Sequence, residues 1–389
     1  MAYSFEKTVR ANILALEPYS CARDEYEGGD AVFLDANENP FDTGYNRYPD
    51  PHQRELKRVV SHIKGVAAEN IMLGNGSDEI IDILIRSVCR PGQDNIIVSS
   101  PGYSMYGVSA HVNDVQVRQV CLTEDFLPDW EKIRAVADES TKIVFVVTPN
   151  NPVGTVAPLA DIEDFCSSFD GIVLVDEAYI DFTDAPSAVT VLEKHPNMAV
   201  LQTMSKSWGM AGLRIGMCFA HKDIISVFDK VKAPYNMSSL TQAAALEVLS
   251  DQASYRRKLE EIKRERERLY EAFVSSGCFE AVYPSQANFL LVRTPYFRQL
   301  YAFLVENGVV VRLRDIPPLI PSGVRITVGT KEQNDALLRL LDEFFTAIGR
   351  SMVVSVPPGS PGRYYRKFKK PLRTHEGVFS CRQYRRLHL

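Results

Sequence analysis

"GIVLVDEAY", residues 171–179, sets four apolar residues in a row before two acids, an alanine and a tyrosine. A strand with one wet face alternates apolar and polar residues. A run that is apolar at every position has both faces buried, as in a parallel sheet covered by helices. "NIIVSSP" (95–101), "KIVFVVTPNNP" (142–152), "NMAVLQTMSK" (197–206) and "LRIGMCFA" (213–220) read the same way. Between them, "SDEIIDILIRSVC" (77–89) and "LADIEDFCSSF" (159–169) repeat apolar residues at helical spacing. The alternation predicts an α/β domain, a mostly parallel sheet covered by helices, from about residue 45 to 250.

A chain of 389 residues exceeds what one hydrophobic core usually supports, so a second domain is expected. "SYRRKLEEIKRERERLYEAFV" (254–274) reads as a long connecting helix, with Leu259, Ile262, Arg266, Leu269 and Phe273 near one stripe. Beyond it "FEAVYPSQANFLLVRT", "VVVRLRD" and "GVRITVG" supply strands and "KEQNDALLRLLDEFFTAI" a last helix, a smaller α+β domain. The expected division is a large domain over 31–253, a small one over 254–350 and a basic tail over 351–389. The tail has Pro/Gly punctuation and no sustained periodicity, so disorder is expected there.

The net charge of -5 conceals nine basic residues against one acidic in 351–389, which leaves the rest at -13. An acidic body argues against nucleic acid as the main partner, because a polyanion needs clustered cations. No apolar run is long enough to cross a bilayer, and "MAYSFEKTVR" lacks a signal peptide's apolar middle, so a cytoplasmic protein is expected. Cys21, Cys89, Cys121, Cys166, Cys218, Cys278 and Cys381 are scattered, and no CxxC or HExxH occurs. That pattern fits reduced thiols and predicts no catalytic metal.

Parallel strands end on a common edge, where ligands bind, so polar residues just past strand ends are the first to weigh. Asn151 follows "VFVVTPN", Asp176 follows "IVLV", Tyr179 shares its turn, and Lys206 follows "AVLQTMS". One such Asp is commonly a helix cap or turn former; four polar groups on one edge suggest chemistry. A lysine amine forms a Schiff base with a carbonyl, and pyridoxal phosphate exploits this. Its ring nitrogen wants an acid and its phosphate wants cations and backbone N–H groups. Lys206 would hold the aldehyde carbon, Asp176 the ring nitrogen, and Asn151 and Tyr179 the ring oxygen. "LGNGSDEIIDILIRSV" (73–88) sets Gly74 and Gly76 before a helix, so N–H groups near Ser77 and Asp78 can point at an anion. Asn75 with Asp78 also fits a plain helix cap. Ser205 and Arg214 add a hydroxyl and a fixed cation, with Arg214 opening the strand "LRIGMCFA".

"SPGYSMY", "TPNNPVGT", "DEAYIDF", "TMSKSWGMAGLRIG" and "GVRITVG", in this order, resemble the fold type I aminotransferases. "LDANENP", "NRYPDP" and "LRDIPPLIPSGVRITVGT" point to the histidinol-phosphate branch, and the resemblance covers roughly residues 9–348. It implies a pyridoxal-phosphate aminotransferase of histidine biosynthesis, exchanging an amino group between the glutamate/2-oxoglutarate pair and the imidazole acetol phosphate/histidinol phosphate pair. Alternatives within the fold are an aromatic or other amino-acid aminotransferase and a threonine-phosphate decarboxylase. The resemblance matches Lys206 to the cofactor-linked lysine, Tyr103 to the aromatic stacked on the ring, and Ser77, Asp78, Ser205 and Arg214 to the phosphate binders. Tyr48 matches a residue that reaches the neighbouring subunit's cofactor, which implies a homodimer with shared sites. For substrate it implies Asn37, Arg325 on the α-carboxylate, Arg312 on the substrate phosphate with Arg314 as competitor, and Tyr19 on an N-terminal arm, residues 1–30, that covers the site.

Overall fold

The computed structural model describes residues 3–20, 26 and 31–354, with side chains up to 349. Two compact units divide the chain, residues 1–151 with 156–259 and residues 152–155 with 260–389. The division falls inside the long helix Gln252–Ser276, a few residues beyond the boundary expected at 253.

The first unit holds a sheet of β1 Ile71–Asn75, β2 Asn95–Ser100, β3 Gln116–Cys121, β4 Thr141–Val147, β5 Ile172–Asp176, β6 Met198–Thr203 and β7 Ile215–Ala220. Their spatial order is β1-β7-β6-β5-β4-β2-β3. Strands β3, β2, β4, β5 and β6 are parallel, as the apolar runs predict for β2, β4, β5 and β6. The run "LRIGMCFA" departs from this reading: β7 is antiparallel to both β6 and β1. The connection 204–214 is too short for the helical crossover that parallel neighbours need, so the chain returns directly. Nor does Arg214 open the strand. It precedes it in the left-handed region at φ 54°.

Alternation along each strand feeds two cores. In β5, Val173 and Val175 join one apolar cluster with Val144, Val146 and Val200. Ile172 and Leu174 join another on the opposite face with Ile143, Phe145 and Tyr106. A strand buried this way leaves only its end for polar chemistry. The N-terminal segment docks on the second cluster, with Val9 buried and Phe5, Ile13 and Leu14 packed against it. Strands β1 and β3 escape the apolar-run criterion, since "IMLGN" closes on a glycine and an amide and "QVRQVC" is a half-exposed edge strand.

The second unit carries β8 Ala281–Tyr283, β9 Phe289–Arg293, β10 Arg312–Ile316 and β11 Ile320–Thr327, antiparallel in the order β10-β11-β9-β8. Helices Phe297–Glu306 and Lys331–Val354 and the end of the long helix complete it, around Leu269, Phe273, Leu300, Val324 and Leu341. Helix Phe297–Glu306 is an element that the strand and helix signals beyond the connecting helix did not include.

Candidate active site

Directionality brings the site together. Strands β2, β4, β5 and β6 are parallel, and β1 runs with them because it is antiparallel to β7, itself antiparallel to β6. The C-terminal ends of these five strands and the start of β7 therefore share one edge. Gly76 and Ser77 follow β1, Tyr103 follows β2, and Asn151 follows β4. Asp176 ends β5, Lys206 follows β6, and Arg214 precedes β7. Ser77, Asp78, Tyr103, Asn151, Asp176, Tyr179, Ser205, Lys206 and Arg214 line one cavity there, and Val147, Ala178 and Thr203 complete it.

At one end the helix Ser77–Val88 begins on Gly76, whose φ is 79°. A Cβ on Gly76 would stand 2.4 Å from Arg214 Nη2, and one on Gly216 would stand 2.4 Å from the Ser77 nitrogen. Two bare backbones thus let the helix start, the guanidinium and β7 approach. Gly76 N–H donates to the Arg214 carbonyl at 2.7 Å, which holds Arg214 in a conformation that costs a side-chain-bearing residue about 1 kcal/mol. The first-turn N–H groups of the helix have no acceptor within it and carry its positive dipole end, so the cradle suits an anion. The Asp78 carboxylate does other work. Its Oδ1 accepts from the Tyr103 hydroxyl at 2.9 Å and its Oδ2 lies 3.5 Å from Arg214 Nη2. Only the Asp78 backbone N–H is suited to a phosphate; its side chain orients the tyrosine and the arginine.

At the other end lies Asp176. Burial raises its carboxyl above the usual range, opposed by hydrogen bonds from Tyr106 and the Ala178 N–H. The charge of Asp78 raises it further and that of Lys206 lowers it. The Tyr106 hydroxyl donates to Oδ2, and Ala178 N–H donates to Oδ1 at 3.0 Å. Burial, then the bond to Asp78, raises the Tyr103 hydroxyl, so it stays a donor at neutral pH. Glu177, next in the chain, points to the opposite sheet face, where it accepts from Ser187 Oγ at 2.5 Å, Ala188 N–H at 2.6 Å and Gln202 Nε2 at 2.8 Å. One acid of "DEAY" faces the cavity; its neighbour staples the loop behind it.

Between these ends stands Lys206, its Nζ 5.8 Å from the centre of the Tyr179 ring. Its turn is pinned by Thr203, whose Oγ1 donates to the Ile215 carbonyl and accepts from Ser205 N–H, both at 3.1 Å. Asp181 ties the turn after β5 to the residue beyond Lys206, accepting from Ser207 Oγ at 2.5 Å and from Lys64 Nζ at 3.2 Å. Sequence reasoning missed Thr203 and Tyr106. Tyr106 follows Tyr103 by three residues in "GYSMY", with Tyr103 just before the helix Met105–Val112 and Tyr106 in its first turn.

Three expected residues lie outside the cavity of their own chain. Tyr48 is half exposed and stacks on Tyr235 with ring centres 4.5 Å apart. Asn37 is exposed with φ 55°, and Tyr19 is exposed. In the second unit Arg312 and Arg325 stand directly opposite each other in the β10·β11 ladder, so both side chains leave the same sheet face. Arg314, opposite Gly323, leaves that face too, but only Arg312 faces Arg325. The Arg325 guanidinium lies 5.2 Å from the Phe289 ring centre.

Among the described residues no helix is long and apolar enough to cross a membrane, and no group of three or more His, Cys, Asp or Glu could hold a metal ion. Among the described residues Cys89, Cys121, Cys166, Cys218 and Cys278 form no disulfide. Cys21, Cys381 and the basic tail from residue 355 lie outside the described residues.

The profile of the family described as "Aminotransferase class I and II" matches residues 30–341. A histidinol-phosphate aminotransferase of Parabacteroides distasonis is 48% identical over 333 residues, 86% of this chain and 96% of that protein. One from Cytophaga hutchinsonii is 47% identical over 348 residues, 88% of this chain and all of that protein. The solved structure of histidinol-phosphate aminotransferase from Sinorhizobium meliloti in complex with pyridoxal-5'-phosphate is similar with a TM-score of 0.72 at 27% identity, over 78% of this chain and 84% of that one.

Proposed function

This chain belongs to the class I and II aminotransferase family, and from that premise we propose that it transfers an amino group from L-glutamate to imidazole acetol phosphate, reversibly, yielding histidinol phosphate and 2-oxoglutarate in histidine biosynthesis. It is a pyridoxal-phosphate-dependent transaminase. The observation that carries the reading is the single cavity with an anion cradle at one end, a buried acid at the other and Lys206 between them.

The donor set fits the cofactor. Ser205, Arg214 and the N–H groups of Ser77 and Asp78 would hold its phosphate, Asp176 its ring nitrogen, and Asn151 and Tyr179 its ring oxygen. Tyr103 would cover its face. When bound, pyridoxal phosphate supplies an aldehyde that links to amines and a ring that withdraws electrons from the carbon bearing the amine. Lys206 Nζ would hold the aldehyde carbon at rest. Once displaced by an incoming amine it would take the proton from the substrate Cα and return it one position away. Asp176 would keep a proton on the ring nitrogen.

Arg325 would grip the glutamate α-carboxylate with two parallel bonds, and Arg312 the substrate phosphate. Two arginines at directly opposite ladder positions put like charges on one sheet face, which supports an anionic substrate there. Asn37 and Tyr19 would also contact the substrate. Exposed Tyr48, stacked on Tyr235, supports a homodimer in which Tyr48 reaches the cofactor phosphate of the other subunit, and the enzyme would work in the cytoplasm.

The test is product analysis on a panel of histidinol phosphate, aromatic amino acids and threonine phosphate, with 2-oxoglutarate as acceptor. Glutamate should form fastest from histidinol phosphate. Preference for aromatic amino acids, or carbon dioxide release from threonine phosphate, would overturn the assignment.

A further inference from the structure

Tyr106 lies on the helix Met105–Val112 and is fully buried, its ring stacked on Phe145 at 4.4 Å and edge-on to Tyr103 at 5.5 Å. Packing alone would be served by phenylalanine. The hydroxyl instead donates to Asp176 Oδ2, while the Ala178 N–H takes Oδ1. Neutral donors from two elements therefore grip both oxygens of one buried carboxylate.

A buried acid facing a ring nitrogen shares one proton with it. The pair exists either as a carboxylate with a protonated ring or as a neutral acid with a neutral ring. Burial in an apolar core favours the neutral pair. Each hydrogen bond donated to the carboxylate favours the charged one, and only the charged one makes the ring an electron sink. Of the groups around Asp176, Lys206 supports its charge and Asp78 opposes it. We propose that Tyr106 is a positioning residue that keeps Asp176 ionised, and hence the proton on the cofactor's ring nitrogen, through its bond to Oδ2. The inference rests on the reading of this cavity as the pyridoxal-phosphate site. A tyrosine suits the task because its own proton does not leave: burial, then the charge of Asp176, holds the hydroxyl far above neutrality.

The experiment uses holoenzyme reconstituted with cofactor labelled with nitrogen-15 in the ring, read by NMR beside the rates of both half-reactions. In Tyr106→Phe the ring-nitrogen signal should move toward its unprotonated position. The glutamate and histidinol phosphate half-reactions should slow by the same factor, on the order of tenfold, with unchanged KM. Replacing Tyr106 by 3-fluorotyrosine, whose hydroxyl is the stronger donor, should hold the signal at or beyond the wild-type protonated position. It carries the test if the phenylalanine variant fails to fold. An unmoved signal in Tyr106→Phe, or a fluorotyrosine shift toward the unprotonated side, would overturn the proposal. A wild-type protein that takes up no cofactor would overturn the reading beneath it.

Discussion

The sheet edge that carries Lys206 and the ladder that carries Arg325 handle charge in opposite ways. At the edge both carboxylates are met by donors, Asp78 by Tyr103 and Arg214, Asp176 by Tyr106 and Ala178. In the ladder Arg312 and Arg325 stand opposite each other on neighbouring strands. A site that holds one permanent ligand can be organised in advance, since its charges never change. A site that takes a carboxylate in one half of a reaction and a phosphate in the other, the role proposed for the ladder, is completed by its substrate. If so, changes at the edge should alter both halves of the reaction alike, and changes in the ladder should separate them.

Lys206→Ala tests the edge with the largest expected effect. Both half-reactions should fall by about 10⁴-fold or more, because covalent attachment and proton transfer are lost together. The side chain is exposed, so the apoprotein should melt as the wild type does. Single-turnover absorbance with glutamate and then with histidinol phosphate reads both numbers. A loss confined to one substrate would break the comparison.

Arg325→Ala should cost about 100-fold in kcat/KM for glutamate and much less for histidinol phosphate, while Arg312→Ala should show the reverse. Arg325→Lys should recover little, because a point charge does not replace a planar fork. Removing either partner relieves a cross-strand repulsion, so exposed Arg312→Ala should raise stability by about 0.5 kcal/mol in denaturant titration. Equal losses for both substrates would move the phosphate role from Arg312 to Arg314.

Asp176 sharpens the same contrast through pH. Its folded-state pKa is raised above the ordinary unfolded value of about 3.9. A carboxyl shifted upward contributes stability that is fully present below the unfolded value and lost as pH rises through the folded value. Wild-type apoprotein should therefore lose stability relative to Asp176→Asn as pH rises above about 4. Urea midpoints of the two apoproteins across that range measure it, and a gap independent of pH would refute the cause. Adding cofactor should reverse the order, since a protonated ring then balances the charge.

What was legible in sequence follows the same division. The edge residues could be read because buried parallel strands announce their ends: Asp176 after "IVLV" and Lys206 after "AVLQTMS" needed only the apolar runs before them. Tyr106 and Thr203 were not legible, because a tyrosine within a helix and a threonine at a strand end look the same whether they point into a core or at a carboxylate. The direction of β7 was hidden for another reason. Burial on both faces says nothing of strand polarity, and the shortness of 204–214 had to be weighed against it. Asp78 was read as a phosphate binder through its backbone N–H at a helix start, and the bonds of its side chain to Tyr103 and Arg214 were not legible. In the ladder, "VVVRLRD" leaves Arg312 and Arg314 on one face by period alone; only the register shows which of them meets Arg325.

The smallest expected effect lies one layer behind Lys206. Asp181 bridges the turn after β5, which carries Tyr179, and the turn after β6, which carries Lys206, through Ser207 Oγ at 2.5 Å. Lys64 holds its other oxygen, and burial, then the charge of Asp181, raises the Tyr255 hydroxyl, whose ring lies against Trp208 with centres 3.7 Å apart. Ser207→Ala removes one bond of this bridge and leaves the ion pair and the ring stack. The folded state should lose about 1 kcal/mol, and both half-reactions should slow by a similar small factor, roughly threefold, through looser placement of Lys206. Asp181→Asn, which keeps an acceptor for Ser207 but breaks the ion pair with Lys64, should affect stability more than rate. If Ser207→Ala instead slowed the glutamate half alone, the edge would share the ladder's selectivity, and the separation between a constant site and a variable one would not hold.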